Sequence, residues 1–406
     1  MSRLTLAKAA FIVALGALVQ LNADAAWEQE RDALHEAALE TEAALNAVML
    51  NATYAGERMV VVGERGHILL SDDDGETWFQ AKVPMRTALT AVHFISPQRG
   101  WAVGHDTAIL TTADGGVTWE KLLDGNQANQ LVLAAAQQRL VTVEGLLAQA
   151  DASERRQLQN QRDFAEIALD EARRDLDIGP SKVLMDVWFA DEKMGLVVGA
   201  SGYLLRTEDG GKSWQDWSDR IDNPDLLHLY ALEQNQQGTL FLLGEAGSRF
   251  RSTDQGVSWQ PLELPYDGSL FGILATPDNN AVFAFGMSGV IYKSTDNGDS
   301  WTRVPSNTKS ILQSGAIAAD GRAVLVGLGG VLVQEDTSGA AFFPVAIGER
   351  SAMTAVLGRK NGGLLVAGEA GLRVFVPEAA VGDAAATTAL QNVGSLRFMF
   401  NQRDID

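Results

Sequence analysis

Short apolar runs dominate this chain, each a few residues long and each cut off by glycine or a polar turn. Val60-Val61-Val62 ends in Gly63, Val197-Val198 in Gly199 and Leu242-Leu243 in Gly244. Runs this short, bounded by turn formers, predict β-strands. The pattern changes once. Residues 126–178 hold a single glycine, Gly145, and are rich in Ala, Gln, Glu, Arg and Leu, a composition that favours helix. Two helices are expected there, near 128–150 and 153–177, folded into an antiparallel hairpin. Asp151 or Ser153 would start the second and Gly179-Pro180 would stop it. Charges at helical spacing, such as Glu166 with Arg173 and Asp170 with Arg174, predict a solvated face.

Two turn motifs repeat. Gly-x-x-Gly follows an apolar run as Gly63-Glu64-Arg65-Gly66 and recurs from Gly199, Gly244, Gly286, Gly327 and Gly368; Gly104-His105-Asp106-Thr107 is a variant. Successive first glycines are 41, 95, 45, 42, 41 and 41 residues apart. After five of these turns comes Ser/Thr-x-Asp-x-Gly-x-Thr/Ser-Trp. Its Asp and Trp are Asp73 and Trp78, Asp114 and Trp119, Asp209 and Trp214, Asp254 and Trp259, and Asp296 and Trp301. An Asp here accepts backbone N–H groups, the glycine supplies positive φ, the hydroxyls bond locally and the Trp anchors the turn in the core. These are Asp-boxes, the mark of the bacterial neuraminidase repeat, and they are expected to be structural. A period of 40–45 residues fits four-stranded blades. The expected fold is all-β: a seven-bladed β-propeller over residues 46–376, with the 95-residue step holding a helical-hairpin insertion at 126–178. Six blades, with one marker misread, is the alternative. Unit six has Asp336 and Gly339 off register and Phe342 or Phe343 in place of Trp, and unit seven has no box. The ring is expected to close by pairing the ends of the chain.

The ends add location. Arg3 and Lys8 precede an apolar run from Ala9 to Leu21 and then Ala23-Asp24-Ala25. This predicts a signal peptide over residues 1–25, cleaved before Ala26, and a soluble periplasmic protein. With no Cys near that site, a lipid anchor is not expected. A polar helix over 26–45 is expected to lead into the ring, and 377–406 form a tail whose Ser395–Phe400 stretch either pairs as a strand, binds a partner or frays. No other long apolar segment is expected. The formal charge of −20 argues against nucleic acid and anionic lipid as partners.

Catalytic chemistry finds little support. A sialidase or other glycosidase needs two placed carboxylates or a Tyr nucleophile, and no sequence pattern gathers them. His35, His67, His93, His105 and His228 lack zinc spacing, Asp72-Asp73-Asp74 reads as a box and not a calcium loop, and no phosphate loop occurs. No metal or cofactor is expected. The Gly-x-x-Gly turns should share one face with the helical insertion, gathering Glu64, Arg65, His67, His105, Asp106, Glu245, Arg249 and Glu369 as a candidate binding face.

The stretches Val60 to Ser71 and Gly100 to Asp106 resemble the photosystem II stability and assembly factors. The resemblance covers about residues 44–376. It implies a seven-bladed Asp-box propeller with a non-catalytic role, holding an assembling membrane protein. The family's basic patch has no counterpart here, which points to a different client, such as an inner-membrane transporter or assembly complex. A glycan-binding or sialidase-like propeller is the alternative function.

Overall fold

The computed structural model describes residues 33–278, 281–377, 390–392 and 396–400. The expected signal peptide, with its cleavage site, lies outside them. Among the described residues, seven antiparallel sheets, each of four consecutive strands, follow one another along the chain. Their first strands are Met49–Ala55, Leu89–Phe94, Leu184–Phe189, Leu229–Gln234, Leu270–Ala275, Leu312–Ile317 and Met353–Gly358. Each first strand contacts the next, and the last contacts the first. The sheets therefore stand as blades 1 to 7 around an axis lined by these strands.

One device recurs in every blade. The first Gly of each Gly-x-x-Gly turn lies against the carbonyl that precedes the inner strand. A Cβ there would sit 2.3 Å from Val48 O at Gly63 and 1.8 Å from Ile311 O at Gly327. The approach lets the next N–H donate to that carbonyl: Glu64 to Val48, His105 to Ala88, Ala200 to Val183, Glu245 to His228, Met287 to Ser269, Leu328 to Ile311 and Glu369 to Ala352. The same seven inner strands each carry a bulge beside their first residue. The second Gly needs positive φ, and its missing Cβ clears the linker to the next blade, as at Gly66 against Met85 O. In blade 2 that linker is the helical arm. Thr107 fits there at φ 52°, its N–H and hydroxyl both donating to Lys182 O.

The five boxes share one network. The Asp carboxylate accepts the N–H and the hydroxyl of the residue four later, as Asp296 does from Ser300. The leading hydroxyl donates to the Asp and accepts the Gly N–H, as Ser294 does with Gly298. The residue before the box glycine also has positive φ: Asp74, Gly115, Gly210, Gln255 and Asn297. That turn aims its carbonyl at the preceding blade, which always supplies a donor. Arg359 reaches Asp74 O, Arg58 reaches Gly115 O, the Trp101 indole reaches Gly210 O, Arg206 reaches Gln255 O and Arg251 reaches Asn297 O. Each box is thus a hairpin and a clamp between blades. Trp78, Trp119, Trp214 and Trp301 are buried; Trp259 is only partly so, and neither its indole N–H nor that of Trp301 has a partner. In blade 6, Phe342 takes the Trp position, fully buried, while Phe343 is exposed.

The ring closes side by side. Arg359 and Asp74, both nearly buried, pair across the seam between blades 7 and 1, and the Asp74 carboxylate accepts the N–H groups of Lys360 and Asn361. Thr354 donates to Met49 O and Tyr54 to Gly358 O. The expected pairing of chain ends is met in a different form: Arg397–Phe398 adds a parallel fifth strand outside Thr77–Gln80 of blade 1.

Helices α1 (Gly125–Gln149) and α2 (Arg155–Ile178) form the expected hairpin. Asp124 and Gln127 make a capping box at the start of α1. The second start is different from expectation: Glu154 is the N-cap, and Asp151 serves the turn before it by accepting the N–H of Ser153 and Glu154. The ion pairs on α2 include Arg162–Glu166, Arg173–Asp170 and Arg174–Glu171: Arg173 and Arg174 each turn to the acid three residues back, on the same helix face, and not to Glu166 and Asp170 respectively. The expectation of no further long apolar segment fails: α1 is long and apolar enough to cross a bilayer by length and composition, with little of it buried. Of the expected lead-in helix, the described part is turn and coil followed by a short 3-10 helix, Glu42–Asn46. Residues 33–41 are held instead by tertiary bonds: Ala38 N–H to Val83 O, Gln80 with Thr41 and Leu39, and Arg86 with Glu36.

Candidate functional site

The Gly-x-x-Gly turns and the arm rise from the same rim, because the linkers between blades pass beneath these turns. The arm is rooted firmly. Lys182 is paired with Glu171 and the buried Asp175 and donates to Ser201 in the blade 3 turn. Arg139 of α1 pairs with Asp216, whose carboxylate is nearly inaccessible, and with Asp219. Val141, Phe164, Ile167, Leu176 and Ile178 remain exposed along the arm.

The eight face residues take different roles. His67 is buried, bonded to Gln80 beneath residues 33–41, and burial lowers its pKa; it does not belong to the open face. Glu64, Glu245 and Glu369 each accept the N–H just before their own inner strand, at Val48, His228 and Ala352. They cap the device described above. Arg249 donates to the carbonyls of Gly247, Leu262 and Tyr266. Asp106 accepts the Thr87 hydroxyl, and Arg65 and His105 stand exposed. Glu64, Arg65, His105, Asp106 and Glu369 thus mark a charged sector on blades 1, 2 and 7.

Blades 4 to 6 present another surface, which no motif flagged. The bulge places Tyr230 and Phe271 at the mouth of the ring, with ring centroids 5.0 Å apart. His228 stands edge-on to Tyr230. In blades 5 and 6 the capping Glu is replaced by Met287 and Leu328, both exposed. The signal in the sequence was positional: one residue after the first inner-strand residue, and one residue after the first turn glycine.

Across the inner strands of blades 3 and 4, Asp186 and Glu233 approach each other. Asp186 accepts the N–H groups of Leu232 and Val187. Burial pushes Asp186 up to about 7; burial, then the Asp186 charge, pushes Glu233 up to about 8. Both keep some exposure, yet protein surrounds them, so the charged form loses hydration. Burial lowers His93 to about 4. A pocket of about 400 Å³ opens at the opposite rim, lined by Glu233, Gln234, Asn235, Gln236, Thr276 and Pro277 among others. Among the described residues, no group of three His, Cys, Asp or Glu is placed to hold a metal ion.

Ring, boxes and face define an Asp-box β-propeller of the assembly-factor type. The family model described as Photosynthesis system II assembly factor YCF48 matches residues 76–137 and 166–343, more than half of the chain, and the chain belongs to that family. The photosystem II assembly lipoprotein Ycf48 of Synechococcus sp. (strain CC9902) is 32% identical over 81 residues, 20% of this chain and 24% of the relative. The match therefore spans about a quarter of that relative's length. Among solved structures, YCF48 bound to D1 peptide superposes with a TM-score of 0.56 at 16% identity, covering 84% of this chain and 97% of that one. YCF48 from Cyanidioschyzon merolae gives 0.55 at 14%, covering 82% and 96%. The GH74 enzyme of Niastella koreensis gives 0.56 at 12%, covering 86% of this chain and 54% of that one. At these identities the likeness establishes the fold alone.

Proposed function

We propose that this chain is a non-catalytic, exported scaffold that binds an exposed segment of a membrane protein complex or transporter on its Gly-x-x-Gly face, with the helical arm as a lateral wall. The observation that carries the reading is the arm itself. It rises beside the turn face, is clamped by Lys182 and Arg139, and leaves apolar side chains in solvent on both helices. Exposed apolar surface of this kind marks interaction sites. Family membership and the D1-peptide complex of a YCF48 relative support a protein client. The box aspartates are committed to their own turns, which supports a non-catalytic role.

The test is excision of residues 126–178, with a short Gly/Ser linker. Gly125 packs against Pro180, so the cut ends are neighbours and the ring is expected to fold. Photo-cross-linkers at Phe164 and Ile167 of the intact protein should trap a membrane protein, and the excised form should lose that client. Cross-linking only from the box rim, with the client retained after excision, would reject the reading. A glycosidase reading rests on the Asp186–Glu233 pair beside the pocket. Glu233→Gln abolishing a measured glycosidase activity would support it.

A further inference from the structure

The aromatic part of the blade 4 to 6 surface, on blades 4 and 5, is bordered by acid. Glu245 stands beside Tyr230 and His228, fixed by the His228 N–H at 3.2 Å. Asp222, Asp225 and Asp267 are exposed nearby on the same rim. Arg249 is tied down by three backbone carbonyls and Lys182 by Glu171, Asp175 and Ser201, while Lys309 and Arg350 stand exposed toward the blade 5 and 6 turns. His228 Nδ1 accepts the Ser201 N–H, so that nitrogen carries no proton in this arrangement. Two tilted aromatic faces beside a carboxylate attract a cation through the ring quadrupole and the fixed negative charge. Met287 and Leu328 extend the surface with apolar contact. An acidic segment meets Glu245 and the rim aspartates as like charges, and the whole chain, at −20, steers basic partners toward it.

We propose that the ring mouth at Tyr230, Phe271 and Glu245 is a docking site for an extended polypeptide segment carrying a Lys or Arg flanked by apolar residues. The cationic side chain lies against the two rings and Glu245, and its apolar neighbours lie over Met287 and Leu328. This rests on the reading that the turn face binds a client, and it assigns the client segment's chemistry.

The test uses the full mature chain and three labelled peptides of about twelve residues, alike except for a central Arg, norleucine or Glu flanked by Leu. Fluorescence anisotropy should give tightest binding for the Arg peptide, with about tenfold weaker binding for norleucine and weaker still for Glu. Glu245→Gln keeps an oxygen for the His228 N–H, and Tyr230→Leu with Phe271→Leu keeps apolar bulk. Each variant should erase the preference for Arg at an unchanged melting temperature. Equal binding of the three peptides, preference for Glu, no binding of the Arg peptide, or variants that bind like the parent would each overturn the proposal. Ring-mouth mutations that dissociate a dimer of this chain, without peptide binding, would assign the patch to self-association and overturn it too. If cross-linking from the arm succeeds while the peptides show no preference, client binding stands and only this assignment falls.

Discussion

At the residue scale, two sets of carboxyls oppose each other in their response to pH. In the boxes, partial burial pushes Asp73, Asp114 and Asp254 upward, but the hydroxyl and amide bonds win and the net shift is down. Asp209 and Asp296 are lowered first by the hydroxyl bond, Asp296 to about 2. Groups depressed in the fold contribute stability above their unfolded value of 3.8 and lose it as pH falls toward 2. Asp186 and Glu233 have the opposite sign. Their folded values lie above 3.8 and 4.5, so the fold holds their protons more tightly, and stability declines as pH rises from about 4 toward 8. The melting temperature of the parent should therefore drift down between pH 5 and pH 8. Glu233→Gln should flatten that drift and melt higher than the parent at pH 8. Thermal melts across this range check it, and an unchanged slope would remove the pair from the account.

At the element scale, the boxes differ in how well their tryptophan is seated. Trp119 is buried with its indole bonded to Gly116 O, whereas Trp259 is partly exposed and its indole is unpaired. Trp119→Ala should cost about 3–5 kcal/mol as a core truncation, and Trp259→Ala well below that, measured by urea unfolding. The clamp between blades is testable in the same way. Arg206 is buried, stacked over Trp217 and bonded to Gln255 O. Arg206→Met keeps much of the packing and should cost about 1.5–3 kcal/mol for the lost charged hydrogen bond. Arg173→Met on the exposed face of α2 should change stability by less than about 1 kcal/mol.

At the scale of the whole molecule, the ring depends on one seam that local sequence does not supply. Blade 7 completes its own four strands, so the ring is held by side chains where blades 7 and 1 meet. In the Arg359–Asp74 pair both side chains are less than a tenth exposed. Removing one partner of a buried pair leaves the other charge stranded, so Arg359→Met should cost about 3–5 kcal/mol. Differential scanning calorimetry should then show a lowered transition. A melting temperature equal to the parent's would mean that the seam is held elsewhere, for instance by Thr354 and Tyr54.

The sequence by itself determined the repeat. Gly-x-x-Gly and the Asp-box are local solutions to local problems, a close backbone approach and a self-bonded turn, so residue type and spacing reveal them. The helical arm was legible for the same reason, from composition and the lack of glycine. Tertiary structure decided what each side chain faces. His67 looked like a face residue, and residues 33–41 cover it from outside the repeat. Glu64, Glu245 and Glu369 looked like ligands, and they cap N–H groups 16 or 17 residues earlier, just before their inner strands. Tyr230 and Phe271 belong to no repeated motif, and the bulge turns them to the ring mouth. Asp186 and Glu233 lie 47 positions apart in the numbering and meet only because blades 3 and 4 stand side by side. Contacts set by ring closure and blade packing join residues far apart along the chain, and no local pattern encodes which of them will meet.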